Sequence, residues 1–185
     1  MTTIIATDIR ANKLNHNIFF GKANDGIKYS ITDEGTVAAR ADSSGPLSGA
    51  LVRSGSLPDG TCGIVSGLTS CIGVIIAIQS AGLSRFNYIV VAHFNGGYDD
   101  QASWDRIDQA LNGHTGRRYG LVIMTKDTTD YGRGSALDYI LPMLSNRNVQ
   151  DQNTLIYHNK VTSGVAFGVK SDGSVGEVSN QIYTT

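Results

Sequence analysis

The sequence predicts an α+β fold: a β-sandwich core of mostly antiparallel strands with helices packed outside. Three observations lead there. Glycine reaches 22 of 185 residues, and of the acidic residues only Glu34 and Glu177 are Glu, a balance that favours turns and strands over long helices. Two strongly apolar runs, one through Val74, Ile75, Ile76 and Ile78 and one from Arg85 to His93, are rich in β-branched residues and too short to span a membrane. Only two segments carry helical spacing together with capping residues.

The elements follow in order. Strands are expected at roughly residues 2–9, Asn17 to Gly21, Ile27 to Thr32 and Thr36 to Arg40, separated by turn signals at Asn24-Asp25-Gly26 and Asp33-Glu34-Gly35, which reads as a meander of hairpins. After a Ser/Gly/Pro-rich loop at Asp42 to Ser48, strands are expected near 49–53 and 62–66, then in the two apolar runs. A helix follows, capped by Asp99 or Asp100, with Trp104, Ile107 and Leu111 on one face and Gly113 at its end. Tyr119 to Thr125 reads as a strand. A second helix starts from a Ser135 cap and carries Leu137, Ile140, Leu141 and Leu144, with Pro142 kinking or shortening it. Strands near 153–158, 164–170 and 176–183 close the chain, the last two joined by Asp172-Gly173. No internal repeat or low-complexity linker breaks the sequence, so residues 1–185 are expected to form one domain, which at this size buries about 70% of the surface its unfolded chain exposes.

Composition narrows the function. Fifteen Lys and Arg against sixteen Asp and Glu leave no single-signed field, which argues against nucleic acid or an anionic membrane as partner. The N-terminus, MTTIIATDIRANKL, lacks the basic segment and apolar core of a secretory signal. Two cysteines, Cys62 and Cys71, and four scattered histidines, His16, His93, His114 and His158, offer neither a disulfide framework nor metal-ligand spacing, and no metal or other cofactor is expected. The carboxylates of Asp99-Asp100 and of Asp127-Thr128-Thr129-Asp130 read as cap and turn residues, and the glycines of 132–134 and 164–176 do not match a phosphate-binding loop.

One juxtaposition carries chemistry. Leu68-Thr69-Ser70-Cys71 opens one apolar strand, and the next strand delivers His93 just before Phe94-Asn95-Gly96-Gly97. If the two are antiparallel neighbours joined by a loop near residues 79–84, strands of about 3.3 Å per residue bring Cys71 and His93 to the same edge. A thiol has an ordinary pKa of about 8.5, and a neighbouring imidazole that takes its proton supplies the nucleophilic thiolate. A packed core thiol or a Cys62–Cys71 disulfide are the alternative uses of Cys71.

These residues resemble the cysteine-dependent glutamine deamidases: the catalytic domain of cytotoxic necrotizing factor, Burkholderia lethal factor and the chemotaxis receptor deamidases. The nucleophile turn reads Leu-Ser-Gly-Cys in the toxins and Leu-Gly-Ser-Cys in the chemotaxis members; Leu68 and Cys71 match the first, Leu68, Ser70 and Cys71 the second. The likeness covers about 30 residues. It implies a shared β-sandwich core, Cys71 as nucleophile and His93 as base. Where several members carry a Thr six residues before the cysteine this chain has Val65, and 22 residues separate Cys71 from His93. The group that orients His93 is therefore the Ser66 hydroxyl, the Thr61 hydroxyl or a backbone carbonyl.

In that chemistry the Cys71 thiolate attacks a glutamine carboxamide. The Cys71 N–H, with the Ser70 or Thr69 side chain, would receive the charge on oxygen, and His93 protonates departing ammonia and activates water. If an amine replaces water, the site transglutaminates. The expected partner is a protein substrate, which the resemblance suggests is a Rho-type GTPase or a translation-initiation RNA helicase of a host, met by a monomer. The chain then reads as a bacterial toxin or effector delivered to a host cytosol by a route other than Sec. The alternatives are a chemotaxis-type receptor deamidase of the bacterial cytoplasm and a non-catalytic β-sandwich binding module. Target choice is expected in surface loops such as 42–48, 79–84 and 126–134.

Overall fold

The computed structural model describes residues 4–5, 30–31, 37–42, 49–68, 71–124, 133–158 and 165–178. Eleven strands appear among them: β1 (Ile4–Ile5), β2 (Ser30–Ile31), β3 (Val37–Ala41), β4 (Ala50–Ser56), β5 (Cys62–Leu68), β6 (Ile72–Gln79), β7 (Tyr88–Phe94), β8 (Arg117–Met124), β9 (Thr154–His158), β10 (Val165–Lys170) and β11 (Val175–Val178). Helix α1 (Gln101–Leu111) lies between β7 and β8, and α2 (Arg133–Ser145) between β8 and β9. One sheet has the order β1-β9-β8-β6-β7-β4, the other β2-β11-β10-β5-β3. The fold is an α+β sandwich whose helices cover the outer face of the six-stranded sheet.

The alternation of side chains along a strand builds this layering. On β6 and β7, Val74, Ile76 and Ile78 with Tyr88, Val90 and Phe94 point outward and pack against Trp104, Ile107 and Leu111 of α1 and Ile140 and Leu144 of α2. The intervening Ile75, Ala77, Ile89 and Val91 point inward, where they meet Val65, Phe167 and Val169 of the five-stranded sheet. Both faces being covered, β6 and β7 read as continuous apolar runs. Each isoleucine buried this way contributes about 1.5–3 kcal/mol relative to exposure.

Helix α1 forms as its sequence dictates. The Asp100 carboxylate accepts the Ser103 N–H at 3.0 Å, buried Trp104, Ile107 and Leu111 share one face, and Gly113 follows the end at φ +81°. Asp100 is thus a cap, held below the usual carboxylate range chiefly by its bond from the Ser103 side chain.

Several expectations are corrected. The strands that begin the chain are not a meander of hairpins among the described residues: β1 pairs with β9, β2 with β11 and β3 with β5, all in parallel, so their partners are distant in sequence. The antiparallel ladders are β4–β7, β6–β7, β6–β8, β5–β10 and β10–β11. Helix α2 starts at Arg133, which puts Ser135 inside the helix instead of at its cap, and it continues through Pro142 to Ser145. Strand β4 runs to Ser56, because as an edge strand it needs only backbone pairing to β7 and leaves Arg53 and Ser54 exposed. The strands expected at Asn17 to Gly21 and beyond Val178 lie outside the described residues. Among the described residues no helix is long and apolar enough to cross a membrane.

Candidate active site

Strand β5 ends in one sheet at Leu68 and β6 begins in the other at Ile72, so the chain changes sheets over three residues and Cys71 stands at that corner. Gly67, at φ +71°, supplies a left-handed backbone just before it. Across the β6–β7 ladder Ile72 faces Phe94 and Gly73 faces His93. Continuing that register by one residue sets Cys71 opposite Asn95. Cys71 and His93 are therefore diagonal neighbours on one face, the face turned toward the five-stranded sheet, a relation that spans about 7–8 Å between backbones and less between side chains.

His93 takes the place after Ile89 and Val91 in the inward row of β7, and none of its surface is exposed. Its Nδ1 lies 2.8 Å from the Ser66 carbonyl oxygen. A carbonyl only accepts, so Nδ1 carries the hydrogen and Nε2 of the neutral ring holds the lone pair. Nε2 is buried and makes no hydrogen bond. Burial pushes the His93 pKa below its ordinary value, opposed by the Ser66 carbonyl, by the charge of Asp42 and by the Asn95 side chain. Burial thus favours the neutral form of the ring.

Cys71 is half-buried and packs against the inter-sheet core. Its thiol donates to Asn95 Oδ1 at 3.5 Å, and no hydrogen bond joins it to His93 Nε2 in this conformation. Neither cysteine forms a disulfide. Cys62 is buried at the opposite end of β5, beside Ile64.

The three candidates for the group orienting His93 separate cleanly. The Ser66 main-chain carbonyl occupies the position. The Ser66 hydroxyl does not, because Val65 faces the inter-sheet core and the next side chain along β5 leaves by the other face; its Oγ is buried without a hydrogen bond. Thr61 precedes the first residue of β5, and its hydroxyl donates to Pro58 O at 2.7 Å. Thr69 and Ser70, expected to line the oxyanion site, lie outside the described residues.

Two further residues belong to this rim. Asn95 follows His93 by two positions, and that spacing at a strand end is the signal that puts both on one side of the ladder. Asp42, just beyond β3, acts on His93 through its charge and lies 4.0 Å from Arg40. It arrives through the parallel β3–β5 pairing, where Ala41 stands opposite Val65, and no local pattern announces that pairing.

Gly73 shapes the floor. A methyl group there would meet Ile123, Leu68 and Val65 side-chain atoms at 3.0–3.1 Å, so the absence of a side chain opposite His93 lets the sheets close at this end. The assembled rim holds a thiol, an imidazole with a fixed tautomer and a carboxamide that acts on both. Comparison of the sequence with protein-family models and with curated proteins finds no match to either.

Proposed function

We propose that the chain is a cysteine-dependent amidohydrolase that deamidates a glutamine of a protein, with Cys71 as nucleophile and His93 as base. The observation that carries this reading is the buried Nε2 of His93, left with a lone pair and no hydrogen bond on the face that Cys71 shares, while the Ser66 carbonyl fixes the ring through Nδ1. A buried polar atom without a partner costs about 1–3 kcal/mol, and a site that must accept a proton during turnover is a physical reason to keep one.

Rotation of the Cys71 side chain from Asn95 toward His93 transfers the thiol proton to Nε2. The thiolate then adds to the carboxamide carbon, His93 returns the proton to the leaving ammonia, and water, deprotonated by the same nitrogen, hydrolyses the thioester to glutamate. The likeness of Leu68 and Cys71 to both branches of the deamidases supports glutamine as the substrate residue, and their match to the toxin members supports a protein of a host cell as its carrier and a bacterial effector as the setting.

The test is incubation of wild type and Cys71→Ser with host-cell lysate, followed by mass spectrometry for glutamine-to-glutamate conversions. Conversions confined to the wild type are expected. Equal conversion in both samples rejects the proposal and leaves the β-sandwich as a binding module with a packed thiol.

A further inference from the structure

We propose that Asn95 is a positioning residue for the Cys71–His93 pair: its side-chain carbonyl holds the resting nucleophile as a protonated thiol, and the sulfur reaches the imidazole only by leaving that carbonyl. The inference deepens the deamidase reading, on which the purpose of the device rests.

The placement of Asn95 is set by the backbone. Its N–H donates to Gly49 O at 2.8 Å, and Gly96 and Gly97, at φ +71° and +59°, turn the chain away immediately afterwards. The β6–β7 register sets it opposite Cys71, and its Oδ1 accepts the Cys71 S–H at 3.5 Å. Two residues before it on the same face, His93 Nε2 is buried and unbonded. The carboxamide is thus hydrogen-bonded to the sulfur and also acts on the His93 ring, whose Nε2 makes no hydrogen bond to the sulfur.

A hydrogen bond to the neutral form of an acid disfavours its ionisation, so the S–H···Oδ1 contact opposes thiolate formation, whereas an imidazole partner promotes it. The two neighbours pull the Cys71 thiol in opposite directions. When the sulfur turns to His93, the S–H bond breaks and an Nε2–H bond forms, leaving a thiolate and an imidazolium. Asn95 Oδ1 then has no thiol proton to accept and lies near the new cation, which its dipole favours. A half-buried cysteine kept as a thiol between turnovers also resists oxidation and stray alkylation, both of which act on the thiolate.

Among the described residues the charge that acts on His93 is that of Asp42 beyond β3, with Arg40 beside Asp42. The strand on the other side of β6 presents Ile123 and Met124 at this level, which carry no charge.

The experiment is the pH dependence of iodoacetamide alkylation at Cys71, measured in a Cys62→Ala background so that one thiol reports. Asn95→Ala is expected to move the inflection about one pH unit toward acid, the scale of one hydrogen bond. The alkylation rate at pH 7 then rises about threefold, because tenfold more thiolate is partly offset by its lower nucleophilicity. Asn95→Asp, nearly the same shape, is expected to move the inflection toward alkali by placing a negative charge at the sulfur. A profile unchanged in both variants, or an alkaline shift in Asn95→Ala, overturns the role of Asn95. Neither result bears on glutamine conversion, which the Cys71→Ser comparison tests separately.

Discussion

At the end of the sandwich where β5 begins, polar groups close on one another: Thr61 Oγ1 donates to Pro58 O, Gly60 N–H to Ser171 Oγ, Phe86 N–H to Ser171 O, and Arg85 to Leu57 O. At the end where β5 stops, His93 Nε2 and Ser66 Oγ are buried with no hydrogen bond, and a cysteine stands at the corner. The same strands run through both ends. The first end ties the two sheets together with satisfied bonds, as a structural seam should. The second keeps a buried imidazole nitrogen without a hydrogen bond on the face that a free cysteine shares, which is a cost that folding alone gives no reason to accept.

The two cysteines, one at each end, should differ most in their effect on activity. Cys71→Ser should lower glutamine conversion by roughly 10³-fold or more, as loss of a nucleophile does elsewhere, with the fold unchanged by circular dichroism. Cys62→Ala, at the other end, should leave conversion per folded molecule unchanged; a comparable loss there would mean that the two ends do not differ in kind.

Two inward-facing glycines, one toward each end, should differ by less. A methyl group at Gly63 would approach Ile89 to 2.5 Å, and one at Gly73 would meet three side chains at 3.0–3.1 Å. Each alanine substitution is expected to cost about 1–3 kcal/mol in denaturant unfolding, by overpacking. Only Gly73→Ala, directly opposite His93 in the ladder, should also lower conversion in the fraction that remains folded.

The smallest effect expected is in the pH dependence of stability. The folded-state pKa of His93 is lowered by burial. Between that lowered value and about 6.5, the unfolded chain binds more protons than the folded one. Stability from this residue is therefore complete above about pH 6.5 and declines as pH falls toward the folded-state pKa. His93→Gln should flatten that acid slope, as followed by urea midpoints between pH 7 and 5.

The sequence showed the parts of this molecule whose signals are local. Two apolar runs became β6 and β7, Asp100 capped α1, and Trp104, Ile107 and Leu111 made its buried face. Pairing was less visible, because turn residues such as Asn24-Asp25-Gly26 report a change of direction and not which strand lies alongside. The parallel partnership of β3 with β5, which delivers Asp42, depends on burial across two sheets and leaves no trace in either segment alone. Helix α2 begins ahead of the cap expected at Ser135, because a serine serves a helix interior as well as a cap and the backbone is already helical at Arg133. The site was half legible. Alternation and equal strand lengths put Cys71 and His93 at one edge, but which oxygen of residue 66 faces the imidazole depends on the phase of β5 relative to the core, and only coordinates give that phase.

Action of the imidazole on the sulfur is measured by the alkylation profile of Cys71 in otherwise wild-type and His93→Gln proteins, each in the Cys62→Ala background. Replacing the base should shift the Cys71 inflection toward alkali, opposite to the shift expected for Asn95→Ala, because a neighbour able to take the thiol proton has gone. Superimposable profiles for the two proteins would show that residues 71 and 93 share an edge without sharing a proton, and would contradict the account.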